Sequence, residues 1–149
     1  MCGTRGIFYH MINPTKTTPE SHNNFIGYLG ETEASQILKK MGHTVIRRNY
    51  RNRFGEIDII SLDENKTLCF CEVKTIIIKL EKKDNDAYHP ENNLSKRKIG
   101  NMLRVIELYL RDFPIEDPYW EAHAVTVKFD PELALISSNF IKNINIEIS

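Results

Sequence analysis

The sequence predicts an α/β domain, a mixed β-sheet flanked by helices, with its elements in the order α-β-β-β-α-β. Two segments of helical period frame three strand-like runs, and a further alternating run follows the second helix. The third of these runs is apolar on both faces, which marks a central strand of a covered sheet. At 149 residues, 41% hydrophobic and 27% charged, the chain suits one domain with a core that needs no disulfide or metal.

Residues 1–22 mix Gly, Pro, Thr and Asn without a sustained period, and they are expected to form a poorly ordered leader to a single domain over 23–149. The first helix is expected from Asn23 or Asn24 to Met41. Ile26, Leu29, Ala34, Ile37, Leu38 and Met41 form its apolar stripe, and Gly42 stands where a left-handed cap belongs. His43–Arg51 reads as a strand around Val45 and Ile46, and Gly55–Leu62 as a second. Asp63, Glu64 and Asn65 supply a turn into a third strand, Thr67–Ile78. Lys79–Asn93 is polar and has no clear period. Ser95 is a suitable N-cap for a second helix to Asp112, in which Ile99, Met102, Leu103, Ile106 and Leu110 recur at helical spacing. Pro114 and Pro118 punctuate its exit. Tyr119–Phe129 alternates as a fourth strand, and the isoleucines of Ile141–Ile148 suggest an added edge strand.

Charge and cysteine usage narrow the function classes. Lys plus Arg and Asp plus Glu each number 20, so the net charge is zero. This argues against a protein that coats nucleic acid by bulk electrostatics. A nuclease remains compatible, because an acidic metal site offsets the basic surface around it. Cys2, Cys69 and Cys71 make no disulfide framework, and the last two would face one side of a strand as free, buried thiols. No apolar run approaches the roughly 20 residues that span a bilayer, and no signal-peptide pattern opens the chain. The expectation is a cytoplasmic protein with no membrane partner.

Chemistry is expected where charge interrupts buried strands. Glu72 and Lys74 lie two apart on the third strand and share a face with Phe70 and Ile76. Burying such ions costs several kcal/mol each, roughly, unless they are paired or bind something. Asp58, between Ile57 and Ile59, repeats the anomaly on the second strand, and alternation puts it on a face with Glu56 and Ile60. A hairpin across the Asp63–Asn65 turn would bring Asp58 and Glu72 to one spot. Two carboxylates beside a lysine match what Mg²⁺ takes, namely one or two carboxylates with waters and phosphate oxygens. Taken singly, each of these residues would more often be solvated or salt-bridged. Their coincidence on adjacent apolar strands favours a site.

The stretches Asn49-Tyr50-Arg51, Phe54-Gly55-Glu56-Ile57-Asp58-Ile59-Ile60 and Phe70-Cys71-Glu72-Val73-Lys74-Thr75 resemble the signature of the YraN-like family of bacterial proteins. The likeness runs from about Gly30 to Leu110 and includes Gly30-Glu31, Ala34, Leu38, Gly42 and Lys98. That family is assigned to the restriction-endonuclease-like, PD-(D/E)xK fold, which archaeal Holliday-junction resolvases share. The resemblance implies a restriction-endonuclease-like core and a Mg²⁺- or Mn²⁺-dependent endonuclease acting on DNA, including branched or structured DNA. It implies Asp58 and Glu72 as metal ligands, with the backbone carbonyl of Val73 as a third. Lys74 would orient or help deprotonate the attacking water and stabilise the developing phosphorane charge. Glu31 matches the helical acidic residue that completes such sites, and Glu56 matches the motif as an accessory group or as a structural partner for an arginine. The chain departs from the family at Ile76 and Ile77, where an arginine is usual, and at Ile99, where a glutamine is usual.

Arg48, Arg51, Arg53 and Lys98 are the candidate nucleic-acid contacts, with Tyr50 and Phe54 interleaved among the arginines. A homodimer would suit cutting both strands of a junction. The alternative reading is a nucleic-acid-binding or scaffolding protein that keeps the fold but does not cut.

Overall fold

The computed structural model describes residues 19–78, 96–115 and 119–144. Within them the order is α1 (Pro19–Lys40), β1 (Thr44–Asn52), β2 (Gly55–Leu62), β3 (Leu68–Ile77), α2 (Lys96–Asp112), β4 (Trp120–Phe129) and β5 (Leu135–Ile141). The sequence order is kept, with β5 completing a five-stranded sheet. Cys2, Ser95, Pro118 and the stretch Lys79–Asn93 lie outside the described residues.

Two boundaries differ from expectation by more than a residue or two. Helix α1 begins at Pro19, inside the segment read as leader. Proline suits a first helical turn, where its missing N–H would have had no partner. The rest of that segment, 1–18, lies outside the described residues. At the other end, Ile141 closes an edge strand instead of opening one. Asn143 then takes a positive φ of 53°, and its N–H donates to His123 Nδ1 at 3.1 Å. The N–H of Ile144 donates to the Ala122 carbonyl, and 145–149 lie outside the described residues.

Helix α1 ends in a Schellman cap. Gly42, at φ 86°, donates its N–H to the Lys39 carbonyl, and His43 donates to that of Leu38. This cap turns the chain into β1 and leaves Met41 exposed outside the apolar stripe.

The sheet runs in the order β1-β2-β3-β4-β5. The first three strands form an antiparallel meander, whose β2–β3 turn is held by Asp63 Oδ1 accepting from the Asn65 and Thr67 N–H groups. Strands β3 and β4 are parallel from Leu68↔Trp120 to Ile77↔Phe129, so a crossover must join them, and α2 lies on it. Strand β5 returns antiparallel to β4 at the edge.

Each helix covers one face. Met102, Val105, Ile106 and Tyr109 of α2 pack on Ile57, Ile60, Leu68, Phe70 and Ala122. Ala34 and Leu38 of α1 pack on Ile59, Cys69, Cys71, Val125, Val127 and Phe129. Alternation along β3 therefore sends both cysteines to the α1 side as buried free thiols. Burial pushes the Cys69 thiol up to about 11, and that of Cys71 higher still, which leaves both inert. Among the described residues, no helix is long and apolar enough to cross a membrane.

One close approach sets the position of α1. A Cβ on Gly30 would meet the Thr75 hydroxyl and come within 2.9 Å of Thr75 Cβ and Cγ2. Helix and strand touch there only because Gly30 has no side chain. Gly30→Ala is expected to destabilise the fold by about 1–3 kcal/mol through overpacking, measured as a lower urea midpoint at unchanged slope.

Candidate functional site

Strands β2 and β3 pair from Leu62↔Leu68 to Ile59↔Cys71 and no further. Beyond that point β2 stays with β1, and β3 stays with β4. The sheet therefore forks, and Asp58 stands at the fork. Its Oδ2 accepts a hydrogen bond from the Val73 N–H at 2.7 Å, so a side chain takes a donor that lies beyond the last ladder pair. The fork also breaks the expected alternation. Ile57 and Ile60 both join the α2-side cluster and Ile59 the other, so Asp58 does not simply share a face with Ile60.

Asp58 and Glu72 are each only 8% exposed. Burial, then the nearby Glu72 charge, pushes the Asp58 carboxyl up to about 7 against the pull of the Val73 hydrogen bond; Glu31 and Glu56 add to the rise. These four carboxylates therefore lie in one electrostatic neighbourhood. Glu72 pairs with the Lys98 ammonium, which α2 presents across the crossover. Glu31 comes from α1, set against β3 by the Gly30–Thr75 contact, and it accepts from Asn49 Nδ2 at 2.9 Å and from Arg48 at 3.4 Å. Lys74 is exposed and makes no ion pair with a described residue.

Not every candidate stands at the fork as a free contact. Arg48 is held against α1, reaching Glu31 and the Thr32 hydroxyl, with its guanidinium 5.6 Å from the Tyr28 ring centroid. Its Nε is buried without a hydrogen-bond partner. Arg51 pairs with Glu56 across the β1–β2 ladder at 2.7 Å, which gives Glu56 the structural arginine partner considered for it. Arg53 lies over the Phe54 ring at 4.9 Å. Lys98 is engaged with Glu72, a pairing that the two segments separately did not foretell.

Other residues had no role assigned to them from the sequence. Asn49 orients Glu31 from a φ of 52°; an asparagine in mid-strand is the available signal, since it tolerates the left-handed region. An open cleft of about 200 Å³ adjoins Glu72, between the β1–β2 turn and α2. Phe54, Gly55, Glu56, Glu72, Lys98, Asn101, Met102 and Val105 line it. Asn101 carried no motif that would have marked it.

The donor chemistry suits a hard cation. Asp58 and Glu72 offer carboxylate oxygens at one place, and backbone, water or substrate oxygens would have to complete the shell. Among the described residues, no group of three His, Cys, Asp or Glu side chains is arranged to hold a metal ion. Two carboxylates still meet the needs of Mg²⁺, which keeps several waters and rarely uses an all-protein cage.

Comparison with known proteins agrees with the motif reading. The chain is 34% identical over 92 residues to a UPF0102 protein of Syntrophomonas wolfei, covering 62% of this chain and 74% of that one. It is 37% identical over 93 residues to one of Chlorobium phaeobacteroides, covering 62% and 68%. A UPF0102 protein of Caldicellulosiruptor saccharolyticus matches at 30% over 118 residues, which is 79% of this chain and 94% of that protein. Among solved structures, SfsA of Pyrococcus furiosus in complex with Ca²⁺ aligns with a TM-score of 0.29 and 10% identity, over 82% of this chain and 62% of that chain. The model of Uncharacterised protein family UPF0102 matches residues 30–131, which hold α1 from Gly30, the fork and the first four strands, and the chain belongs to that family.

Proposed function

We propose that this chain is a Mg²⁺- or Mn²⁺-dependent nuclease that hydrolyses phosphodiester bonds in DNA, branched or structured DNA included. The supporting observation is the fork, where two carboxylates are buried side by side and Lys98 pairs with Glu72, with Lys74 two residues further along β3. Burial first and their mutual repulsion second disfavour the charged pair, as the raised Asp58 carboxyl reflects, and a divalent cation would offset both. Asp58 and Glu72 would hold the ion, with the Val73 carbonyl as a third ligand and Glu31 beside them. Once bound, the ion would supply Lewis acidity at the phosphate and lower the pKa of water. Lys74 would orient the attacking water and donate hydrogen bonds to the phosphate oxygens as negative charge builds. Lys98 orients Glu72, and Asn49 and Arg48 fix Glu31.

A second reading is a nucleic-acid-binding protein that does not cut. It draws on the Lys98–Glu72 pair, which gives Glu72 a cationic partner without metal. The test is incubation with Mn²⁺ and a panel of single-stranded, duplex, flap and four-way-junction DNA. Cleavage by the wild type that Asp58→Ala loses is the expected result. No cleavage of any substrate, with Mn²⁺ still bound through Asp58, would favour the second reading.

A further inference from the structure

We infer that the cleft beside Glu72 receives one unpaired nucleobase, so that the protein engages single-stranded or branched DNA in preference to intact duplex. The inference rests on the nucleic-acid reading above and names the substrate class of that same site. The cleft holds about 200 Å³, below the roughly 300–1,000 Å³ of pockets that take drug-sized molecules. That space suits a single planar ring system.

Its lining has two characters. Phe54, Met102 and Val105 give an apolar floor, and Asn101 and Glu56 bring polar groups to it. An amide both donates and accepts while a carboxylate accepts, which is the complement of a base edge. A base already paired and stacked in a duplex presents neither its face nor that edge, so entry requires an unpaired nucleotide.

Charge continues the match outward. The guanidinium groups of Arg53 and Arg104 lie 4.9 and 5.8 Å from the Phe54 ring centroid. Two cations there can follow the sugar-phosphate backbone on either side of an inserted base, as in single-strand grooves that pair stacking with basic tracks. Glu72 lines the cleft and also stands at the fork, so a base held there brings its own phosphate towards Asp58 and Glu72.

The test is fluorescence anisotropy in metal-free buffer, where nothing is cut. The probes are a labelled 15-nucleotide single strand, the same sequence as duplex, and a single strand of the same length made wholly of abasic sites. The expected result is at least tenfold tighter binding of the base-bearing single strand than of either other probe. Asn101→Trp, which fills the cleft from a half-buried helical position, should bring all three within about twofold; circular dichroism checks that the variant is folded. Equal binding of duplex and single strand by the wild type would overturn the inference, and so would equal binding of the abasic strand. Both comparisons use the unmodified protein, so they do not depend on the variant folding.

Cleavage with Mn²⁺ is scored separately. A preference for unpaired bases without cleavage keeps the cleft assignment and removes the nuclease. Cleavage with no such preference does the reverse, and no binding to any probe overturns the cleft assignment whatever the cleavage result.

Discussion

Asp58→Asn is expected to make the metal-free protein more stable at pH 8 and to abolish its response to Mn²⁺. The Asp58 carboxyl is pushed from the ordinary 3.8 up to about 7, mainly by burial and then by Glu72. Between those values the unfolded chain releases its proton while the folded chain keeps it. Stability therefore falls as pH rises through that window, and the loss is complete above about pH 7. A displacement of this size corresponds to about 4 kcal/mol against the charged form. Asparagine keeps an oxygen for the Val73 N–H while removing the charge. The variant should gain about 2–4 kcal/mol at pH 8 and close to nothing at pH 4, read from urea denaturation at both values. Mn²⁺ at a hundred times its dissociation constant should stabilise the wild type by about 2.7 kcal/mol and the variant not at all. An equal change at both pH values would overturn the raised Asp58 carboxyl, and a surviving Mn²⁺ response would remove Asp58 from the metal site.

Lys74→Ala should separate binding from chemistry. Lys74 is exposed, so its loss should change stability by no more than about 0.5 kcal/mol. It is not an oxygen donor, so Mn²⁺ should stabilise the variant as it does the wild type. On the proposed mechanism, what disappears is a hydrogen-bond donor to charge that develops on the phosphate. Loss of such a donor costs about 10²–10³ in rate, and single-turnover cleavage should fall by that factor. Lys74→Arg should recover part of the rate, since it restores charge without the compact ammonium. A Lys74→Ala enzyme that cuts at the wild-type rate would leave the water to another group, of which Lys98 is the nearest cation to Glu72 among the described ones.

What could be read in advance follows from how local each cause is. The bounds of β2 fall where they were expected, and those of β3 within a residue, because long apolar runs between turn residues leave little choice. Asp58 and Glu72 were visible as charges inside those runs, and their proximity followed from one hairpin. The edge strand was less legible. Leu135–Ile141 reads Leu-Ile-Ser-Ser-Asn-Phe-Ile, and five of its residues are exposed, so no alternation marks it, whereas the isoleucines after it drew attention. Its partner β4 defines it. The start of α1 was missed because Pro19–Asn24 carries no apolar period and begins as a helix through its proline. The Lys98–Glu72 pair and the cleft come from the α2 crossover, a tertiary arrangement that neither segment encodes alone. Glu31 was given by motif, and the contacts that fix it, Arg48 and Asn49, belong to the other element.

The fork between β2 and β3 has a consequence for anyone improving this protein by selection. Asp58 holds the Val73 amide with a buried carboxylate, where a neutral acceptor would leave the chain more stable. Directed evolution for heat tolerance in a chelating buffer would reward loss of that charge first, and under the proposed function the winners would be sturdier and empty of activity. If the proposed metal site holds, thermal screens of this protein belong in buffers that contain Mg²⁺ or Mn²⁺.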